Sequence, residues 1–398
     1  MSDADRSDWS AYLGWYATFG FAIEVRVHNG ELVAAVPGVP PGYEITMEPL
    51  GDHRFRMLSG PVLGALATFR LGAAGVADAI LVGPEELIRV PAGQIPAPQP
   101  YQNLRAPHLE IDAAREQAFA ALFQSILVCR DGGWIDYELA YPKHEFLRYV
   151  SNQQAVLFHG SNRSDIDEFQ PRRLSYELRD RSGRGNYQAV YATHDGLWAM
   201  FFAIVDRARL TGSIRNGVTY YHNRAGEPIA LYHFSINREQ LDEQPWCTGA
   251  LYFLPRDTFF QVPLAGEALS NEWASPVAVK PLARLRLEPE EFPFLHQIGG
   301  HDDQELQRFG QLRKRLLGAV TDVQPLSEGL ELTLDWSPDL EACFPEFLAL
   351  QQTILPAASF TLIVQDKARL VIRGPAAFMQ VLQDELDKVL SRPSQESG

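Results

Sequence analysis

Val156-Leu157-Phe158-His159-Gly160-Ser161-Asn162 is the stretch from which the rest of this chain is read. An apolar strand runs straight into His-Gly-Ser. Glycine lets a backbone come close to a ligand, and histidine offers a directional hydrogen bond. A second stretch, Ala189-Val190-Tyr191-Ala192-Thr193, reads as a strand ending in tyrosine and a polar turn. Asp195 to Ala203 then reads as a short aromatic helix, with Ala199, Phe202 and Ala203 on one face at three- and four-residue steps. A face of small residues lets a planar group lie close. The third stretch, Leu269-Ser270-Asn271-Glu272-Trp273-Ala274-Ser275, places a lone carboxylate at the start of an apolar, partly aromatic run. Each feature also has a plain structural reading: a turn, a core tyrosine, an isolated glutamate.

Taken in order, the three stretches resemble the ADP-ribosyltransferase superfamily, in the branch with a His-Tyr-Glu triad that includes diphtheria toxin and the poly-ADP-ribose polymerases. Phe158-His159-Gly160-Ser161 matches its first motif, and Tyr191 with the aromatic Phe202 eleven positions on matches its second. Asn271-Glu272-Trp273 matches its third. The family's nicotinamide-binding serine is replaced by Ala199, and its second tyrosine by Phe202. The resemblance covers residues 140–290.

The resemblance implies NAD as substrate, with no metal, and single transfer of ADP-ribose. Glu272, His159 and Tyr191 are the implied catalytic residues. Glu272 would accept a hydrogen bond from the ribose and stabilise an oxocarbenium-like transition state. Tyr191 and Phe202 would stack on nicotinamide. His159 would hold the adenosine-side ribose, the Gly160 backbone the nicotinamide amide, and Ser161 a ribose hydroxyl. Six arginines between Arg163 and Arg184 suit a pyrophosphate, and Arg172 and Arg173 are the candidates. Interleaved acids from Asp165 to Asp180 give the same arginines a reading as surface ion pairs. The alternatives are an inactive NAD- or ADP-ribose-binding module, and an NAD-using enzyme like the RNA 2′-phosphotransferases.

Around this segment the chain is ordinary. Its 398 residues predict two or three domains, and 46% apolar with 21% charged residues is globular composition. The net charge of -15 gives no global attraction to nucleic acid or anionic membrane. The charge is uneven, however: residues 140–298 carry 17 basic and 18 acidic side chains, against 7 and 12 in residues 1–110. Cys129, Cys247 and Cys343 are odd in number and far apart, which suits a reducing compartment. With no apolar run of membrane-spanning length and an acidic, polar start, the expectation is a cytoplasmic protein without a membrane partner.

The expected fold class is α+β and multidomain. Residues 140–298 form a split β-sandwich core of the ADP-ribosyltransferase kind. Residues 1–97 form a small all-β domain, a barrel or sandwich, in which Val27-His28-Asn29-Gly30-Glu31-Leu32 is a hairpin. With Tyr12, Gly14 and Tyr16 that hairpin resembles the small β domain of bacterial penicillin-binding-protein-like hydrolases. Residues 98–139 are linker and connecting helix, helical over 112–128. Residues 299–398 are an α+β domain, with helices over 302–317, 338–354 (interrupted near Pro345) and 375–390. His301-Asp302-Asp303 reads as a solvated helix start or, less simply, as metal ligands. The flanking domains would select an acceptor, protein or nucleic acid, and offer a surface to a protein partner.

Overall fold

A computed structural model describes residues 9–18, 21–82, 85–95, 99–171, 173–174, 188–210, 213–263, 269–354, 358–374 and 379, 382, 383 and 386. The protein is mixed α+β and mostly strand, with six α-helices among the described residues.

The N-terminal strands close on themselves. They are β1 (Gly14–Thr18), β2 (Phe21–His28), β3 (Glu31–Ala35), β4 (Ile45–Gly51), β5 (Arg54–Met57), β6 (Leu66–Leu71), β7 (Ala77–Val82) and β8 (Glu85–Val90). Each pairs antiparallel with the next, and β1 returns to β8. Asn29 and Gly30 take φ of 52° and 78°, as the two-residue β2–β3 hairpin requires. Inside, the rings of Tyr16, Phe55 and Phe69 make edge-on contacts.

A short strand, β9 (Leu104–Arg105), and two helices follow: α1 (Ala113–Cys129) and α2 (Lys143–Gln153). Asp112 caps α1 by accepting from the Arg115 amide at 2.7 Å. Phe119, Phe123 and Ile126 form its buried stripe, against Phe146, Leu147 and Val150 of α2.

The central strands are β10 (Val156–Ser161), β11 (Arg173–Leu174), β12 (Gln188–Thr193), β13 (Ile214–His222), β14 (Pro228–Asn237), β15 (Gly249–Pro255), β16 (Phe260–Pro263), β17 (Leu269–Ser275), β18 (Ala283–Leu287) and β19 (Gly299–His301). Between them run α3 (Gly196–Ile204) and α4 (Arg238–Asp242). One sheet has the order β16-β17-β12-β10-β15-β18, with β11 on β12. The other has the order β13-β14-β19, with β9 on β14. Helix α3 touches β10, β15 and β13, and so lies between the sheets. It is apolar all round, as an enclosed helix must be.

The C-terminal unit is a sheet of order β20-β21-β23-β22: β20 (Val320–Leu326), β21 (Gly329–Leu334), β23 (Ala368–Arg373), β22 (Ser359–Val364). Its helices α5 (Gln304–Gly318) and α6 (Pro338–Ile354) pack together, with Phe309 and Phe347 stacked 5.6 Å apart. The barrel meets the central sheets through a backbone pair, Gly60 with His222, and the Glu31–Arg224 ion pair.

Three expectations change. The stretch read as linker contributes β9, which extends the second sheet beside Leu231 and Tyr232. Helix α6 runs through Pro345 without a break. Its face of Leu340, Phe344, Phe347 and Ile354 is buried, and that packing outweighs the one backbone bond the proline removes. His301 is not solvated: it is 4% exposed on β19, between the hydroxyls of Ser213 and Ser235. Asp303 caps α5, as the helix-start reading has it. The helix expected over 375–390 lies largely outside the described residues.

Candidate functional site

Strand β10 is held unequally by its neighbours. Six of its residues face partners in β15, from Val156 opposite Pro255 to Ser161 opposite Ala250. With β12 it shares one pair, Phe158 opposite Thr193. The two strands part beyond that pair, and a cavity of about 310 Å³ occupies the joint.

Register decides which side chains reach it. Tyr191 lies opposite Ala274 and Thr193 opposite Glu272, so Tyr191, Thr193 and Glu272 share a face. Phe158 and Gly160 belong to that face, while His159 and Ser161 alternate to the other. The cavity runs through the joint and takes groups from both sides. His159, Gly160, Ser161, Tyr191, Phe202 and Glu272 all line it. These residues come from three stretches far apart in sequence. Arg172 lies outside the described residues, and only the backbone of Arg173, at the start of β11, is described.

His159 is fixed. Its Nδ1 lies 2.6 Å from the carbonyl oxygen of Tyr191, so Nδ1 carries the proton and donates. A ring protonated at Nδ1 alone presents Nε2 as an acceptor. The ring also packs on Phe169 at 4.6 Å between centroids. The backbone amide of Glu272 donates to Ser270 Oγ at 2.8 Å, which holds the start of β17. Ser161 Oγ accepts from the Arg163 amide at 3.1 Å. Arg163 itself forms an ion pair with Asp165, as in the surface-pair reading.

Gly160 has a different duty from the one its motif suggests. A Cβ there would stand 1.9 Å from the carbonyl oxygen of Ala199 and 2.8 Å from the amide of Ala203. The close neighbour that demands glycine is helix α3, not a ligand. Gly249 on β15 serves the same packing, with Ala203 O at 1.9 Å from its Cβ position. The small residues Ala199 and Ala203 are used by these contacts, and α3 forms one wall of the cavity through Trp198, Ala199 and Phe202.

That wall is held by groups the sequence did not reveal. Asp195, 3% exposed, caps α3 by accepting from the Trp198 amide at 2.8 Å. Its other oxygen accepts from the hydroxyls of Tyr220, at 2.6 Å, and Tyr232, at 2.9 Å. Burial, then the neighbouring carboxylate, pushes both phenols well up, so they remain donors. His194 stacks on Tyr220, and burial lowers its pKa. The Trp198 indole donates to Asn216 Oδ1 at 2.7 Å. Arg207 brings a cation to the cavity, its guanidinium carbon 5.2 Å from the centre of the Phe202 ring. It sits five positions after Phe202, and that spacing was its only signal.

No family model, curated protein or solved structure matches this chain. The function is therefore argued from the cavity. It contains a tautomer-fixed imidazole, a carboxylate, five Phe, Tyr and Trp side chains and an arginine within a small-molecule-sized space. Such a set can hold a planar ring, bind hydroxyls and stabilise positive charge. Among the described residues no three His, Cys, Asp or Glu side chains come together as a metal site. No described helix is long and apolar enough to cross a membrane.

Proposed function

We propose that the protein is an NAD-dependent mono-ADP-ribosyltransferase, with a split β-sandwich core of the ADP-ribosyltransferase kind around β10, β12 and β17. The carrying observation is convergence: the residues singled out for this chemistry, His159, Gly160, Ser161, Tyr191, Phe202 and Glu272, line one cavity. The parted joint between β10 and β12 supports the split core.

The volume of about 310 Å³ suits nicotinamide and its ribose, with the rest of the dinucleotide leading out past Arg207. Tyr191 and Phe202 supply faces for the pyridinium ring. His159, through Nε2, accepts a hydroxyl of the adenosine-side ribose, and Ser161 binds the nicotinamide-side ribose. The nicotinamide–ribose bond breaks with its electron pair leaving on nicotinamide, which becomes neutral. Glu272 faces the positive charge that develops on the ribose. An acceptor nucleophile then bonds to the same carbon and loses its proton. The acceptor is a protein or nucleic acid, positioned by the barrel and the C-terminal unit.

Ala199 in place of a serine favours a second reading, a module that binds NAD without turning it over. One experiment separates the two. A cell extract is incubated with labelled NAD and either wild type or Glu272→Gln. Label transferred by wild type and absent with the variant supports the enzyme. NAD binding without nicotinamide release, whatever the extract, supports the module.

A further inference from the structure

A second cavity, of about 810 Å³, lies where the barrel, the 99–103 segment, β13–β14 and α5 meet. Junctions between structural units are favoured places for small-molecule sites, and this volume is of ligand size. One wall is apolar and comes from the barrel: Ala17, Phe21, Val36 and Pro61. The facing wall is polar. Gln102 and Asn103 line it, and each spends one end of its amide on the protein. Asn103 donates to the Pro37 carbonyl at 2.9 Å, and Gln102 accepts from the Gln99 amide at 3.0 Å. An oxygen of Asn103 and the amino group of Gln102 are left, with no partner among the described residues. Asn216, whose register partner is Phe234, turns to the other face of β13 and accepts from Trp198.

His233 also lines the cavity, its ring seated on Gly217 of the neighbouring strand, where a Cβ would stand 2.7 Å from it. Burial and then Arg215 hold its pKa down to about 4, so the imidazole is neutral and both donates and accepts. Arg215 is the single Lys or Arg lining the cavity among the described residues, and it is paired with Asp303. The charges of this pair cancel, and the site is apolar on one side with donors and acceptors on the other.

We propose that this cavity binds an uncharged nucleoside, with its base against the barrel wall and the base edge read by Gln102, Asn103 and His233. A nucleobase has two apolar faces and an edge of mixed donors and acceptors, which amide side chains match. The neutralised arginine leaves nothing to reward a phosphate. The site stands whether or not the first cavity takes NAD.

The full chain is titrated calorimetrically with adenosine, guanosine, cytidine and uridine, and with their 5′-monophosphates. At least one nucleoside binds, and its monophosphate binds no more tightly. Gln102→Ala and His233→Gln each weaken that nucleoside by about tenfold, the loss of one or two hydrogen bonds. His159→Ala, in the first cavity, leaves its affinity unchanged. Gln102 is half-exposed, so its variant keeps the test valid if His233→Gln folds poorly. The proposal is overturned if no nucleoside binds at millimolar concentration, or if a monophosphate binds more tightly. It is equally overturned if His159→Ala abolishes binding that Gln102→Ala retains.

Discussion

The barrel and the seven-stranded sheet are both antiparallel, and they differ at one joint. Every barrel strand pairs with both neighbours over several residues, and β1 closes on β8. Closure leaves no open edge. In the seven-stranded sheet β10 and β12 share one pair, and the residues suited to chemistry collect where they part. A sheet that closes uses its backbone groups on itself, whereas a sheet that parts frees groups for a ligand. Helix α3 braces the parted joint, through Gly160 on one side and Asp195 on the other.

Breaking the brace should cost the most. Asp195→Ala removes a helix cap and strands two tyrosine hydroxyls in the interior. A loss of about 3 kcal/mol is expected in urea unfolding. A loss below about 1 kcal/mol would show that α3 is not held this way. Gly160→Ala puts a methyl group into the α3 backbone, and about 2 kcal/mol of overpacking cost should follow. The same melt should show weakened NAD binding, because Ala199 and Phe202 must shift with the helix.

Acid, a change of condition rather than of a residue, gives a third lever. His233 and His301 are both held down to about 4, chiefly by burial and secondly by Arg215. Unfolded histidine titrates near 6.5. The unfolded chain therefore binds protons that the native chain refuses. Stability should be full above about pH 6.5 and fall as the pH drops toward 4, by up to about 1.4 kcal/mol per unit for each histidine. A flat profile between pH 6.5 and 4.5 would contradict the buried placement of both rings. The smallest effect has the opposite sign. Gly310 lies inside the exposed face of α5 with nothing near its Cβ position. Gly310→Ala should stabilise by about 1 kcal/mol, where the same change at Gly160 destabilises.

Local signals carried much of the architecture. Asn29-Gly30 marked its hairpin, and the helical stretch over 112–128 marked α1. Strands with weaker patterns were missed: β1, which opens on Gly14, and β20, which contains Pro325. β1 forms because β2 and β8 complete it on either side, and β20 because β21 pairs along its length. The cavity residues were legible because each sits in a short motif with its own residue types. Asp195 was not, because its meaning depends on Tyr220 and Tyr232 in another sheet. Gly160 was legible as a close approach, but a sequence does not say whether the approaching group is a ligand or a helix.

The most direct test of the central claim is NAD affinity measured by calorimetry for wild type, Tyr191→Ala and Glu272→Gln, with nicotinamide release followed in parallel. Wild type should bind and release nicotinamide. Tyr191→Ala should bind at least about tenfold more weakly, having lost a stacking face. Glu272→Gln should still bind, with release slowed by about a hundredfold or more. Equal binding by wild type and Tyr191→Ala, or undiminished release by Glu272→Gln, would contradict the account.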